Sequence, residues 1–282
     1  MNVGATLCER APARDTIAAW APLVQSQQKS SSYKLYAMSK DEIFKQPPGD
    51  EPFRFDDTVA SVFPDMLQRS IPGYAASLEA IGSLAARYVR DGTQCYDLGC
   101  SLGAATLAMR QGIRTDGCRI VAIDNSQAMA ERCRQVVVED DASHAAATPV
   151  DVIHGDIVDA EISNASMVVL NYTLQFLAIG DRDGLMQRIY NGLVTGGLLL
   201  LSEKVLDESE HMEELLLDLH HEHKRRNHYS ALEISRKRTA LENVLVPETV
   251  ARHRERLERA GFEHIAVWLR YFNFVSIIAI KA

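Results

Sequence analysis

Four short apolar runs between residues 94 and 171 each close on an acid or an amide. They are Gln94-Cys-Tyr-Asp97, Arg119-Ile-Val-Ala-Ile-Asp124, Val150-Asp-Val-Ile-His-Gly-Asp156 and Ser166-Met-Val-Val-Leu-Asn171. Segments of helical character separate them, and alternating strands and helices define a parallel sheet with helices on its faces. In open parallel sheets, ligands sit at the carboxyl ends of the strands. Packing alone gives no reason for a polar residue at that end four times over. The pattern points to a binding site there.

The first run carries the sharpest signal. After Asp97 the chain breaks into Leu98-Gly-Cys-Ser-Leu-Gly103, and a helix is expected over Leu102–Arg110. A glycine-bearing turn before a helix lets a ligand lie against bare backbone amides. The spacing is G-x-x-x-G (Gly99, Gly103), not the G-x-G-x-x-G of dinucleotide sites. Asp97 would repel a pyrophosphate and suits a ligand that carries an ammonium and a sulfonium, so S-adenosylmethionine fits better than NAD. An ordinary tight strand-to-helix connection would also hold such glycines; the continuation decides. Asp124 follows Asp97 by about 27 residues, near the interval at which a second strand's carboxylate meets ribose hydroxyls. One carboxylate can accept from both hydroxyls. Asp156 is placed to accept from an adenine amino group, with the next backbone N–H, that of Ile157, free for the ring.

The rest of the composition narrows the class. The chain has 282 residues, 46% of them hydrophobic, enough for one large α/β domain with additions. No apolar run reaches the length of a membrane span. The five cysteines, Cys8, Cys95, Cys100, Cys118 and Cys133, are odd in number and form no CxxC pair, which reads as reduced thiols in the cytoplasm. Cys100 is read as a small residue filling the turn rather than a nucleophile. A net charge of −8 argues against a surface that grips nucleic acid unaided.

The chain divides unevenly. Residues 1–50 show no sustained periodicity and are expected to be a mostly disordered extension, with a short helix over Arg14–Ala21 and Met38 as an alternative start. Residues 51–282 form the binding domain. Asp56–Met66 reads as a helix or turn, Ala75–Val89 as the helix before the first strand, and Leu185–Leu193 as a helix ended by Thr195-Gly-Gly197. The strand Leu198–Ser202 follows. Residues 203–245 break the alternation with a long, charged, helical insertion, the candidate lid. Val250–Ala260 returns to helix. His264–Phe272 and Asn273–Ile280 follow one another without a helix between, which implies an antiparallel hairpin at the sheet edge. The result is a Rossmann-like class I methyltransferase fold with seven mostly parallel strands.

Several segments together resemble one family within that fold. Phe63-Pro-Asp-Met66, Arg69-Ser-Ile-Pro-Gly-Tyr74, Tyr96-Asp-Leu-Gly-Cys-Ser-Leu-Gly-Ala-Ala-Thr106, Ala122-Ile-Asp-Asn-Ser126, Asn164-Ala-Ser-Met-Val-Val-Leu-Asn171, Leu201-Ser-Glu-Lys204 and Glu233-Ile-Ser235 with Lys237-Arg238 look like the carboxy-S-adenosyl-L-methionine synthases. The likeness runs from about Phe55 onward. It departs in the N-terminal extension and in a longer 139–147 loop. It implies that S-adenosylmethionine and prephenate become carboxy-S-adenosylmethionine and phenylpyruvate. The product would feed a separate tRNA carboxymethyltransferase acting on wobble uridine, and a homodimer is implied. It assigns Tyr74, Gly99, Cys100, Ser101, Asp124, Asn125, Asp156, Ile157 and Asn171 to the nucleotide. Arg238 is assigned to the carboxylate on the transferred carbon, a role that suits a guanidinium fork; the alternative for Arg238 is the solvated face of a charged helix. The resemblance further implies that an ylide at the sulfonium captures CO₂ lost from prephenate, in a site closed to water.

Two other readings share the nucleotide motifs. A conventional methyltransferase acting on RNA would show a basic stripe, and an amino-methylating one an Asn-Pro-Pro-Tyr-like turn where this chain has Asn171-Tyr-Thr-Leu174. A non-catalytic binding partner of the tRNA enzyme is separated by Arg238 and by turnover. The run His220-His-Glu-His223 invites a zinc reading, but it lacks nearby cysteine and HExxH spacing. No metal is expected, and these histidines are read as surface or interface groups, some reaching a dicarboxylate substrate.

Overall fold

A computed structural model describes residues 39–46, 53–143, 148–242 and 244–282. The expected helix at Arg14–Ala21 and the alternative start Met38 lie outside them. Residues Ser39–Gln46 correct the expected boundary at residue 50. A short 3₁₀ turn, Ile43–Lys45, packs here, and Asp41 is buried. Asp41 N donates to Asp65 Oδ2 at 2.7 Å, and its own carboxylate accepts from the Tyr229 hydroxyl.

The alternation of strand and helix follows the sequence closely. In order come α1 (Asp57–Ser70), α2 (Tyr74–Tyr88), β1 (Gln94–Leu98), α3 (Ala104–Gly112), β2 (Arg119–Asp124), α4 (Gln127–Ser143), β3 (Val150–His154) and β4 (Ala165–Asn171). Then follow α5 (Ile179–Gly192), β5 (Leu193–Leu206), α6 (Glu210–Arg226), α7 (Ala231–Leu241), β6 (Glu248–Thr249), α8 (Val250–Ala260), β7 (His264–Tyr271) and β8 (Phe274–Ile280). The sheet runs β3-β2-β1-β4-β5-β8-β7. Strands β1 to β5 are parallel, whereas β8 is antiparallel to both β5 and β7. The two-residue β6 adds a parallel partner for Val205 and Leu206 beyond the seven expected strands.

Period-two burial explains why the central strands read as unbroken apolar runs. On β4, Met167 and Val169 join the core formed with Leu78 and Ile81 of α2 and Met109 of α3. Val168 and Leu170 face the opposite core, with Leu185 and Ile189 of α5 and Leu257 of α8. On β5, Leu198 and Leu200 take the first side and Leu199 and Leu201 the second. Both faces are dry.

Several boundaries move. Helix α5 begins at Ile179 rather than Leu185, and Leu193 already belongs to β5, which continues past Ser202 to Leu206. The insertion expected at 203 therefore starts after the strand, and it is two helices, with a capping box at Ser230 and Glu233 opening the second. β3 stops at His154, so Asp156 lies in the following turn. Among the described residues, no helix is long and apolar enough to cross a membrane.

Candidate functional site

The strand order reverses between β1 and β4, the place where a doubly wound sheet opens a crevice at its carboxyl edge. The turn after β1 lines it. Gly99 N and Cys100 N both donate to Ile123 O, at 2.8 and 3.0 Å, which folds the turn onto β2. Gly99 and Gly103 have φ of 80° and 85°, and Ser101 between them is also left-handed at 47°. Helix α3 starts at Ala104, two residues later than expected, because Gly103 is its left-handed N-cap.

Asp124 ties two turns together. Its Oδ2 accepts from Ser101 N at 2.8 Å and its Oδ1 from Ser126 N at 2.9 Å. Burial lifts its carboxyl above the ordinary range, while those two N–H donors and nearby His154 pull the other way. Each oxygen retains acceptor capacity for a further donor. Asn125, between the two, is exposed, and its carbonyl oxygen lies 3.2 Å from His154 Nε2.

Asp97 is 1% exposed. Thr106 Oγ1 donates to its Oδ2 at 2.5 Å, and Oδ1 has no partner. Burial pushes this carboxyl up to about 6. Asn171, ending β4, likewise has a buried Oδ1 without a partner. Unpartnered buried acceptors are costly and call for a donor. Two such oxygens at the ends of adjacent strands fit a ligand that carries an ammonium and hydroxyls. Asp156 is exposed and caps its own turn by accepting from Val158 N at 2.9 Å; Ile157 beside it is buried. Tyr74 opens α2, and its ring centroid lies 6.3 Å from that of Tyr172, the residue after Asn171.

The sequence-derived residues of β1, β2, β4 and their turns thus converge on one edge. Arg238 stands apart from them. It lies on α7 with an exposed side chain, although its charge acts on Lys204 of β5 and on His221 of α6. Cys100 is buried, and its thiol is pushed up through its contact with Cys133 and by burial, which suits a packing role.

Glu203, which the sequence pattern places at the start of the polar insertion, supports the site from inside the sheet. It is fully buried, and its two carboxylate oxygens accept from Leu174 N at 2.9 Å and Gln175 N at 3.0 Å, fixing the turn after β4. Burial pushes it up to about 8. Buried Arg182 steadies the same turn from the other side, donating to Leu177 O at 2.8 Å and to Glu248 at 2.6 Å. The signal was present in the alternation Leu199, Leu201, Glu203, Val205, one face of a strand longer than the apolar run. His220 is also buried rather than at the surface, and among the described residues no cluster of three or more His, Cys, Asp or Glu could hold a metal ion.

A seven-stranded path with one antiparallel strand, and an acid at the end of each of the first two strands, defines the methyltransferase fold. Comparison with known proteins agrees: a family described as a methyltransferase domain matches residues 96–197. A putative S-adenosyl-L-methionine-dependent methyltransferase from Methanococcus maripaludis superposes with a TM-score of 0.53 at 19% identity, covering 83% of this chain and 97% of that one. Human N-acetylserotonin methyltransferase in complex with SAM gives 0.51 at 19% identity, covering 80% and 55%. These likenesses carry the fold.

The sequence relatives carry more. A protein named carboxy-S-adenosyl-L-methionine synthase from Pseudoalteromonas atlantica is 52% identical over 244 residues, 86% of this chain and 99% of that protein. Its namesakes from Klebsiella pneumoniae and Escherichia coli are 54% and 56% identical over 228 residues, 81% of this chain and 91% of theirs. The chain belongs to the carboxy-S-adenosyl-L-methionine synthase family.

Proposed function

We propose that this chain is an enzyme that converts S-adenosylmethionine and prephenate into carboxy-S-adenosylmethionine, phenylpyruvate and water. S-adenosylmethionine is a substrate here, not a resident cofactor. The observation that carries the reading is identity above one half to proteins of that name over most of the chain.

The step balances without a dedicated protein base. The ring carboxylate of prephenate leaves as CO₂, its C–C electron pair aromatises the ring, and the C–O bond at the opposite carbon breaks to release hydroxide. Hydroxide takes a proton from the sulfonium methyl group and becomes water. The carbon pair left behind attacks CO₂, forming the new C–C bond. The protein's work is to orient, to exclude water and to hold the charge that appears.

Asp124 is suited to the ribose hydroxyls, Asp156 and the Ile157 N–H to adenine, and Asp97 to the amino group. The Gly99–Ser101 backbone, Tyr74, Asn125 and Asn171 complete the nucleotide's surroundings. Arg238 would receive the carboxylate on the transferred carbon once the insertion closes over the site. The wider reading places the enzyme in the cytoplasm as a homodimer, touching neither tRNA nor membrane and supplying a tRNA carboxymethyltransferase for wobble-uridine modification.

Native mass spectrometry after incubation with both substrates is the test. A bound adenosyl sulfonium about one CO₂ heavier than the methyl compound is expected, held by charge-assisted bonds. S-adenosylmethionine alone, with prephenate unchanged, would point to a conventional methyltransferase or a binding protein.

A further inference from the structure

Beyond Tyr172 the carboxyl edge of the sheet turns basic. The Tyr172 ring lies 5.9 Å from the Phe274 ring, and Phe274 lies 4.9 Å from the His220 ring on α6. Phe274 is the β8 partner of Lys204 on β5. Lys224 stands one turn after His220, on the same face of α6. The nucleotide end of the sheet therefore runs through two aromatic rings into a group of cations.

Few carboxylates answer those cations. Lys237 is buried and has a partner in Asp41 at 3.6 Å, with Ser70 Oγ at 2.8 Å. Lys204 feels the charge of Glu213 without an ion pair to it, and Arg238 repels it. Among the described residues, Lys224 and Arg238 make no ion pair at all. Burial and the charges of Lys237 and Lys204 pull the Lys224 ammonium down to about 7. His220 supplies no negative charge: burial keeps it neutral, its Nε2 is 2.9 Å from Ser70 O, and its buried Nδ1 has no partner. Half-buried, mutually repelling cations are costly without an anion between them.

We infer that Lys204 and Lys224 form the seat for the carboxylate that the dicarboxylate substrate keeps, opposite Arg238, which takes the carboxylate that the substrate gives up. The inference rests on the function proposed above. A prephenate-class substrate carries one carboxylate on the ring, which is lost, and one on the pyruvyl arm, which survives in the product. Orienting the first toward the sulfonium methyl group needs a fixed anchor on the second. Two lysines, point charges on flexible stems, hold a carboxylate that must also depart with product. A polyanionic backbone is a poorer occupant, because His220 and Lys237 are buried and the whole chain carries a net charge of −8.

The probe is phenylpyruvate, which keeps only that carboxylate, titrated into the S-adenosylmethionine-loaded protein. Lys204→Met and Lys224→Met are each expected to weaken it by about tenfold or more, the usual cost of a charged hydrogen bond. S-adenosylmethionine affinity should stay at the wild-type value, the KM for prephenate should rise more than kcat falls, and Lys224→Arg should restore binding. Benzyl methyl ketone, without the carboxylate, should not distinguish wild type from variants. Phenylpyruvate binding equally well to wild type and both variants overturns the seat. So does a parallel loss of S-adenosylmethionine affinity, which would mark the lysines as structural. Wild type indifferent to both phenylpyruvate and prephenate overturns the functional reading itself.

Discussion

Thr173 lies directly over Gly99: a Cβ built on the glycine would fall 2.2 Å from Thr173 Cγ2. The turn after β1 and the turn after β4 are thus in contact at Gly99, a position without a side chain. Gly99→Ala should be destabilised by at least ~2 kcal/mol, combining left-handed strain with the clash. Thermal unfolding measures it, and Thr173→Gly in the same chain should relieve the clash but not the strain. An alanine variant that melts like wild type would mean the turns separate freely.

Asp124 serves the fold as well as the ligand, since it accepts from Ser101 N and Ser126 N. Asp124→Ala should weaken S-adenosylmethionine by roughly 1.5–3 kcal/mol and also lower the melting temperature, because two turn N–H groups lose their acceptor. Calorimetry and a melt on the same sample separate the two effects. Unchanged affinity would place the ribose elsewhere.

Asp97 predicts a pH dependence. Folding raises its carboxyl from 3.8 to about 6, chiefly by burial, with Thr106 opposing and the Asp124 charge adding. The folded state then binds the proton more tightly than the unfolded chain. Its contribution to stability is full below 3.8 and declines as pH rises to about 6, by roughly 3 kcal/mol in all. Ligand binding has the opposite sign, because an ammonium needs the ionised carboxylate. Affinity for S-adenosylmethionine should climb about tenfold per unit up to about pH 6 and then level off. Titrations from about pH 5 to about pH 7 should show that slope in wild type and none in Asp97→Asn. The same slope in both proteins would remove Asp97 from the ammonium site.

Arg238 separates synthase from methyltransferase chemistry. A methyl group is neutral and has no use for a guanidinium, whereas a carboxymethyl sulfonium does. Arg238→Ala should bind S-adenosylmethionine as wild type does and lose carboxy-S-adenosylmethionine by roughly tenfold or more. Arg238→Lys should lie between, lacking the bidentate fork. Equal losses for the two ligands would end the assignment.

The nucleotide edge was legible because strand ends and turns are local: Asp97, Asp124 and Asn171 each follow directly from an apolar run and a break. What escaped depends on pairing between distant segments. Glu203 looked like the start of a polar insertion, since only its pairing with Val275 and the neighbouring register of β8 show that it is still strand. His220 looked like surface because its burial comes from Phe274 and Ser70, 54 and 150 residues away. Asp41 looks like part of a tail because its partners come from distant segments, Asp65 from α1 and Tyr229 and Lys237 from the α7 region.

The position of β8 has a consequence for how the molecule is made. It is the last strand in the chain, yet it lies inside the sheet, hydrogen-bonded to β5 on one side and β7 on the other. Its contacts with β5 join residues as far apart as Leu198 and Ile280. During synthesis, β5 must wait with one edge open while more than seventy further residues leave the ribosome, about four to fifteen seconds at ordinary elongation rates. An apolar edge held bare that long is a template for the wrong partner.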